Sequence, residues 1–360
     1  MSITTIVTGI ALLACSVAAH AQWLTDRTPG IPRLADGKPN LSAPTPRTAD
    51  GKPDFSGIWI ASPHPAYLIN IAADLEAADV QPWATELFVA RMNDIGKDDP
   101  ASIGCAPFGP RSILGTGLPE SARAKIVQTP TLLVILQEDL AYRQVLMDGR
   151  KLPPNPNTSF MGYSIGRWEG EELVVESEGF KDSTWLDFGG HPHSEALHLT
   201  ERYRRVDFGH IQRRITLTDA KVFAKPITLS SDLTLVPDTE LLEYVCAETP
   251  PYHLVGRTEE EQKVRVPPEI LAKYVGIYDF EGLNPFNFRT LTLSLSGSQL
   301  FADFNGKGHV PMVAMSNTMF SPRLLGTYEF FTDEHGAVTH VVAHAPAADF
   351  KIVKRREAAR

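Results

Sequence analysis

From residue 125 onward, apolar and polar residues alternate with a period of two, the spacing of strands that bury one face. "TLLVILQED" and "AYRQVLMDG" predict a strand pair, followed by a turn at Asp148-Gly149. "GYSIGRWEGEELVVES" predicts a hairpin around Glu169-Gly170. "ALHLTERYRRVDFGHIQRRITLT" predicts another, turning through a three-residue loop, Asp207 to Gly209, with Gly209 left-handed. "PITLSSDLTLVPDTELLEYVC" predicts two more strands separated by Pro237-Asp238. Short connections between about eight to ten strands predict an up-and-down antiparallel barrel over residues 57–248.

The pattern breaks and then resumes. Residues 249–268, "TPPYHLVGRTEEEQKVRVPP", combine a charge run with paired prolines and read as a linker. Alternation returns in "RTLTLSLSGSQLFADF" and "LLGTYEFFTDEHGAVTHVVAHA", predicting a second, smaller β-barrel or half-barrel over 269–360. One helix is expected over 74–94, on the spacing of Pro82, Trp83, Leu87, Val89 and Met92. Residues 97–124 read as a long loop. Residues 22–56 hold a near repeat, "RLADGKPNLSAP" and "RTADGKPDFSGI", whose Asp-Gly turns and Lys-Pro steps suit an extended surface arm.

Composition adds compartment and partners. The apolar stretch Ile3 to Ala19, ending in Ala19-His20-Ala21 before Gln22, predicts a signal peptide over 1–21 and a periplasmic or secreted protein. Cleavage there leaves Cys105 and Cys246, which an oxidising compartment would join as a disulfide. A formal charge of −9 disfavours nucleic acid as a partner. After signal removal no apolar run is long enough for a transmembrane helix.

Three resemblances follow from particular phrases. Gly57-Ile58-Trp59, at the head of the hairpins, resembles the Gly-x-Trp start of lipocalin-like barrels. "YVGIYDF", "LTLSLSGSQLFADF" and "HGAVTHVVAH" are similar to the lipocalin-like module appended to serine β-lactamase-like hydrolases. The Ser-x-x-Lys motif of those hydrolases is absent upstream, so their chemistry does not carry over. The mature chain as a whole resembles a family of exported bacterial proteins without an assigned activity, through "ADGKPDFSGIW", "KIVQTP", "MGYSIGRWEGEELVVES", "STWLDFGGHPHSEALHLTERYRR" and "DTELLEYVC". That resemblance implies a barrel fold and supplies no reaction.

Candidate chemistry concentrates between residues 182 and 213. Glu201 falls on the same strand parity as Leu197, Leu199 and Tyr203, and Arg213 on that of Ile211, Ile215 and Leu217. Both are expected to face inward, either as a structural ion pair or as polar contacts in a ligand cavity, since a buried carboxylate needs a partner. The alternation of His191, His193 and Glu195 in an extended segment could present two nitrogens and an oxygen to a divalent metal. The same residues also suit acid–base work, with His193 as proton shuttle, His191 beside it, and Asp187 or Glu195 as orienting partner. Trp185 would supply an apolar wall and Tyr163 a phenol. No serine-hydrolase elbow, phosphate loop or dinucleotide fingerprint is present.

Three readings stay open. The first is an exported acid–base enzyme (lyase, isomerase, hydratase or hydrolase) acting on a small, mostly apolar molecule in the barrel, with no cofactor. The second is a non-catalytic periplasmic carrier using the same cavity. The third is a protein holding a divalent metal at His191, His193 and Glu195.

Overall fold

In a computed structural model, the described residues are 27–63, 66–94, 96–116, 123–246, 264–282, 288–322, 326–344 and 349–355. The expected signal peptide and most of the expected linker lie outside them.

Two closed barrels account for the alternating pattern. The first is built from β1 (Gly57–Pro63), β2 (Arg123–Gln128), β3 (Leu132–Gln137), β4 (Tyr142–Leu146), β5 (Tyr163–Glu169), β6 (Glu172–Glu178), β7 (His198–Arg205), β8 (His210–Thr218) and β9 (Ile227–Leu235). It closes through β1 against β9, with Trp59 opposite Leu235 and Ala61 opposite Leu233. The second runs from β10 (Gly276–Phe280) through β11 (Thr290–Ser296), β12 (Gln299–Phe304), β13 (Lys307–Ala314), β14 (Met319–Ser321), β15 (Thr327–Thr332) and β16 (Val338–His344) to β17 (Asp349–Lys354). There β10 pairs with β17, which makes the second module a full barrel.

Five expectations need correction. The first barrel is not wholly antiparallel. β4 and β5 run parallel and share two residue pairs, Val145 with Ser164 and Leu146 with Ile165. Residues 147–162 form a connection long enough to carry the chain back across the barrel, where a hairpin turn could not. The last expected strand, within 239–246, is irregular, because β1 already occupies the free edge of β9. Its place is set instead by Tyr244 N–H donating to Glu138 O at 2.6 Å and by the Cys105–Cys246 disulfide, whose Cα atoms are 5.6 Å apart.

The helix expected over 74–94 starts at Pro82. Before it come turns and one 3-10 turn, Ala77–Asp79; α2 then spans Pro82–Asn93. A proline at the first helical position holds the preceding Gln81 extended, at ψ 138°. Ahead of these elements lies the short α1 (Ala66–Ile69). The loop expected over 97–124 contains α3 (Pro100–Gly104) and α4 (Pro110–Leu114), each opened by a proline. Asp99 caps α3 by accepting from Ala101 N–H at 3.2 Å, and it also binds the buried Arg111 at 3.0 Å. Phe108 and Phe188 each lie 4.6 Å from that guanidinium.

The two "DGKP" repeats fold alike. Each closes a small bridge, Arg33 with Pro39 and Arg47 with Pro53. Their arginines reach to the barrel, Arg33 to Asp238 at 2.5 Å and Arg47 to Glu171 at 2.8 Å. Gly209 does not take a left-handed φ, contrary to expectation. Its need is space: a Cβ there would collide with Leu41, whose carbonyl accepts from Gly209 N–H at 2.7 Å. The arm also delivers Phe55, buried and stacked 5.6 Å from Trp168.

A last helix, α5 (Pro268–Tyr274), packs on the second barrel. Ile69, Phe88, Met92 and Phe188 join the apolar cluster of that barrel's interior. Burial of each such side chain contributes roughly 1.5–3 kcal/mol, so this junction is a substantial apolar contact.

Candidate functional site

Two buried polar clusters were brought together by the fold, and they are separate. The first is the 184–194 segment. Asp187 is fully buried and accepts four hydrogen bonds: from Ile71 N–H at 2.7 Å, Gly190 N–H at 2.8 Å, His191 N–H at 3.0 Å and His191 Nδ1–H at 2.6 Å. A carboxylate can only accept, so the ring proton of His191 sits on Nδ1. The ring stacks on Phe88 with centroids 3.8 Å apart. Gly189 makes this approach possible, since a Cβ would strike Ile69 O and Phe88. Gly190 turns the chain at φ +101°.

His193 is buried in the same loop and both of its nitrogens are engaged. Nδ1–H donates to Ser194 O at 3.1 Å, and Nε2 accepts from Thr184 Oγ1–H at 2.7 Å. Burial holds its pKa below the ordinary histidine value, against the smaller opposing pull of the Ser194 carbonyl and nearby carboxylates. The ring is a neutral crosslink of the loop.

Several expected partnerships are therefore corrected. Asp187 orients His191, not His193. Glu195 is exposed and joins neither ring. His191, His193 and Glu195 do not converge, and no group of three or more His, Cys, Asp or Glu suited to a metal occurs among the described residues. The physical reason is local: Asp187 captures the imidazole of His191 and Thr184 that of His193, and Glu195 lies past the point where Ser194 is pinned to Asp219 at 2.6 Å. Trp185 is buried beneath the Arg91 guanidinium, 4.5 Å from its ring, and is not among the residues lining the first barrel's cavity. Tyr163 lies in an outer groove with Phe160 and Leu140, where its hydroxyl accepts from Arg150 at 3.1 Å.

The second cluster is inside the first barrel. On β7 the residues Leu199, Glu201 and Tyr203 face inward, and on β8 Ile211, Arg213 and Ile215 do so, as their parity predicts. Glu201 and Arg213 are both buried, but 4.0 Å apart. The nearer partner of Glu201 is Arg143 of β4, at 2.5 Å. Tyr203 O–H donates to the other carboxylate oxygen at 2.5 Å. Arg143 also donates to Ser164 at 2.9 Å and Ser177 at 2.7 Å. Arg213 donates to Ser231 O at 2.9 Å, Ser231 Oγ at 2.7 Å and Ile113 O at 2.8 Å.

The electrostatics follow from that geometry. Burial alone would lower the Arg143 pKa, but Glu201 overrides it and the guanidinium is held above its ordinary value. Burial pushes the Tyr203 phenol up to about 12, with Glu201 adding to the rise, so it stays a neutral donor. The network borders a cavity of about 60 Å³. Arg143, Arg213 and Tyr203 line it, with Trp59, Phe108 and Ile135 among its apolar walls. Elsewhere in this barrel, burial raises the carboxyl pKa of Asp139, against an opposing hydrogen bond from Ala141 N–H.

Sequence reasoning found Glu201 and Arg213 but missed Arg143, Arg123 and Gln137, which also line or serve this cavity. For Arg143 the signal existed. It shares strand parity with buried Val145, the same pattern of a charge on an apolar face that marked Glu201. Neither cluster gains a precedent from comparison: no family model matches the chain, and no curated protein matches it either.

Proposed function

We propose that the protein binds a small, mostly apolar molecule inside the first barrel and acts as an exported carrier or receptor for it. The observation that carries this reading is the internal cavity, which has aromatic and aliphatic walls and a few convergent polar donors. That composition is the usual one for small-molecule sites. The Cys105–Cys246 bond suits an oxidising compartment, and among the described residues no helix is long and apolar enough to cross a membrane. The histidines of the 184–194 segment are not among the residues lining the cavity.

The test is native mass spectrometry of the full, disulfide-bonded chain purified gently from an oxidising host compartment. One small molecule per chain, retained in native spray and lost on denaturation, is the expected result. Filling the cavity with Ile135→Trp should remove it. No adduct, together with no binding from a panel of small neutral and anionic compounds with apolar bodies, would refute the reading.

A second reading, an acid–base enzyme, is favoured by one observation. Asp187 orients His191 in the manner of a carboxylate that positions a catalytic imidazole. On that reading His191→Ala abolishes turnover of a bound compound while leaving its affinity intact; on the carrier reading there is no turnover to lose.

A further inference from the structure

Resting on the binding reading above, we infer that the ligand is a small monocarboxylate carrying a hydroxyl group away from its acid end. Charge and unmatched hydrogen-bonding atoms around the cavity point to such a ligand.

Three guanidiniums line it: Arg123, Arg143 and Arg213. Two buried carboxylates serve them, Glu138 at 3.4 Å from Arg123 and Glu201 at 2.5 Å from Arg143. Glu201 is shared, 2.5 Å from Arg143 and 4.0 Å from Arg213, so among the described residues two guanidiniums divide one carboxylate and one positive charge is left over; the nearer acceptors of Arg213 are the neutral Ile113 and Ser231 oxygens. A buried cation that must share its carboxylate at 4.0 Å is costly, and a further carboxylate meets a guanidinium with matched, charge-assisted geometry. A single surplus charge suits a monoanion; a cationic ligand would be repelled, and a dianion would be left unbalanced.

The second pole is at Arg123 and Gln137, adjacent on β2 and β3. Among the described residues Arg123 Nε–H has no acceptor and Gln137 Oε1 has no donor, though both atoms are buried. A hydroxyl group can accept from the first and donate to the second, which neither a methyl nor a carboxylate can do. The cavity's other walls include the apolar Trp59, Ile126, Ile135 and Leu233. A volume of about 60 Å³ corresponds to several water-sized spheres at roughly 10–15 Å³ each, so the occupant is short.

Isothermal titration of the full, disulfide-bonded chain with four matched probes tests this: γ-hydroxybutyrate, butyrate, γ-hydroxybutyramide and n-butanol. The hydroxy acid should bind once per chain, about 10–100-fold more tightly than its amide, the range for hydrogen bonds to a charged group. Butyrate should be about threefold to tenfold weaker than the hydroxy acid, for loss of one neutral hydroxyl's bonds. Gln137→Leu should erase the preference for the hydroxyl and keep that for the acid. Arg213→Gln should erase the preference for the acid; if that variant does not fold, the wild-type acid-to-amide ratio still decides. Equal binding of acid and amide, or binding of butanol alone, would overturn the inference and leave the cavity reading standing. Equal binding of γ-hydroxybutyrate and butyrate would overturn the hydroxyl assignment. Binding of none of the four would overturn the inference, and the adduct measurement above would then decide the cavity reading separately.

Discussion

The two barrels solve the same closure problem with opposite interiors. In the second, Tyr278, Phe304, Phe320, Tyr328 and Phe330 meet face to edge and leave little for polar groups to do. The hydroxyls of Tyr274 and Tyr278 find backbone oxygens, Asn317 O and Tyr274 O, each 2.7 Å away. Ser321 is the one buried polar residue recorded there among the described residues. The first barrel holds Arg143, Glu201, Arg213, Ser164, Ser177 and Ser231 in its interior, beside a cavity. Strand count and closure therefore say nothing about use. Polar groups buried at such cost, and arranged around a void, mark the barrel in which function is to be sought. In the second barrel Phe88, Met92 and Phe188 join the apolar interior, and its larger space, about 490 Å³, is an open groove shared by Leu271, Leu300 and Met312 with Asn93, Asp94 and Arg265, away from any buried ion pair among the described residues.

The largest test of that contrast is Glu201→Ala. It strands Arg143 and removes the nearest counter-charge of Arg213, and should cost about 3–5 kcal/mol in denaturant unfolding. Ser321→Ala, the nearest equivalent in the second barrel, should cost no more than about 1.5 kcal/mol. Equal costs would break the comparison.

Packing gives the second test, in the reverse direction. Phe304→Ala, in the close-packed barrel, should cost about 3–5 kcal/mol. Leu233→Ala borders the existing cavity and should fall near the low end of the roughly 2–5 kcal/mol range for such truncations. A larger loss at Leu233 would mean that the first barrel is packed as tightly as the second.

Smaller effects sharpen the picture. Tyr203→Phe removes a donor to a buried carboxylate and should cost about 1.5–3 kcal/mol, whereas Tyr278→Phe gives up a bond to a neutral carbonyl and should cost about 0.5–1.5 kcal/mol. Calorimetry of the two variants reads the difference.

The smallest is a pH effect at His193. Its folded pKa lies below the ordinary 6.5, so the unfolded chain binds the proton first. The stability it contributes is complete above about 6.5 and declines as pH falls toward the folded value, by at most about 1.4 kcal/mol per pH unit. His193→Gln should flatten the slope in that window. An unchanged slope would show that the ring is not held neutral.

Much of this architecture was legible because local alternation and turn residues specify hairpins. The 132–146, 163–178 and 198–218 pairs formed as their patterns predicted. What was not legible depended on distant partners. The "TELLEYVC" stretch alternates like a strand, but a strand needs an edge, and β1 had taken it. The parallel step from β4 to β5 has no local signature at all. At the site, parity was enough to send Glu201 and Arg213 inward. It could not reveal that Arg143, on a strand far along the chain, would reach Glu201 first. For the histidines, alternation suggested convergence, whereas Gly190 at φ +101° and the capture of each ring by a different side chain sent them apart.

The measurement that tests the central claim most directly is a methyl-resolved NMR titration of the full, disulfide-bonded chain with γ-hydroxybutyrate. The account predicts saturable shifts at Ile113, Ile126, Ile135 and Leu233 of the first barrel, with Leu291, Leu293 and Val341 of the second unmoved. Shifts centred on the second barrel, or none in the first at saturating ligand, would contradict it.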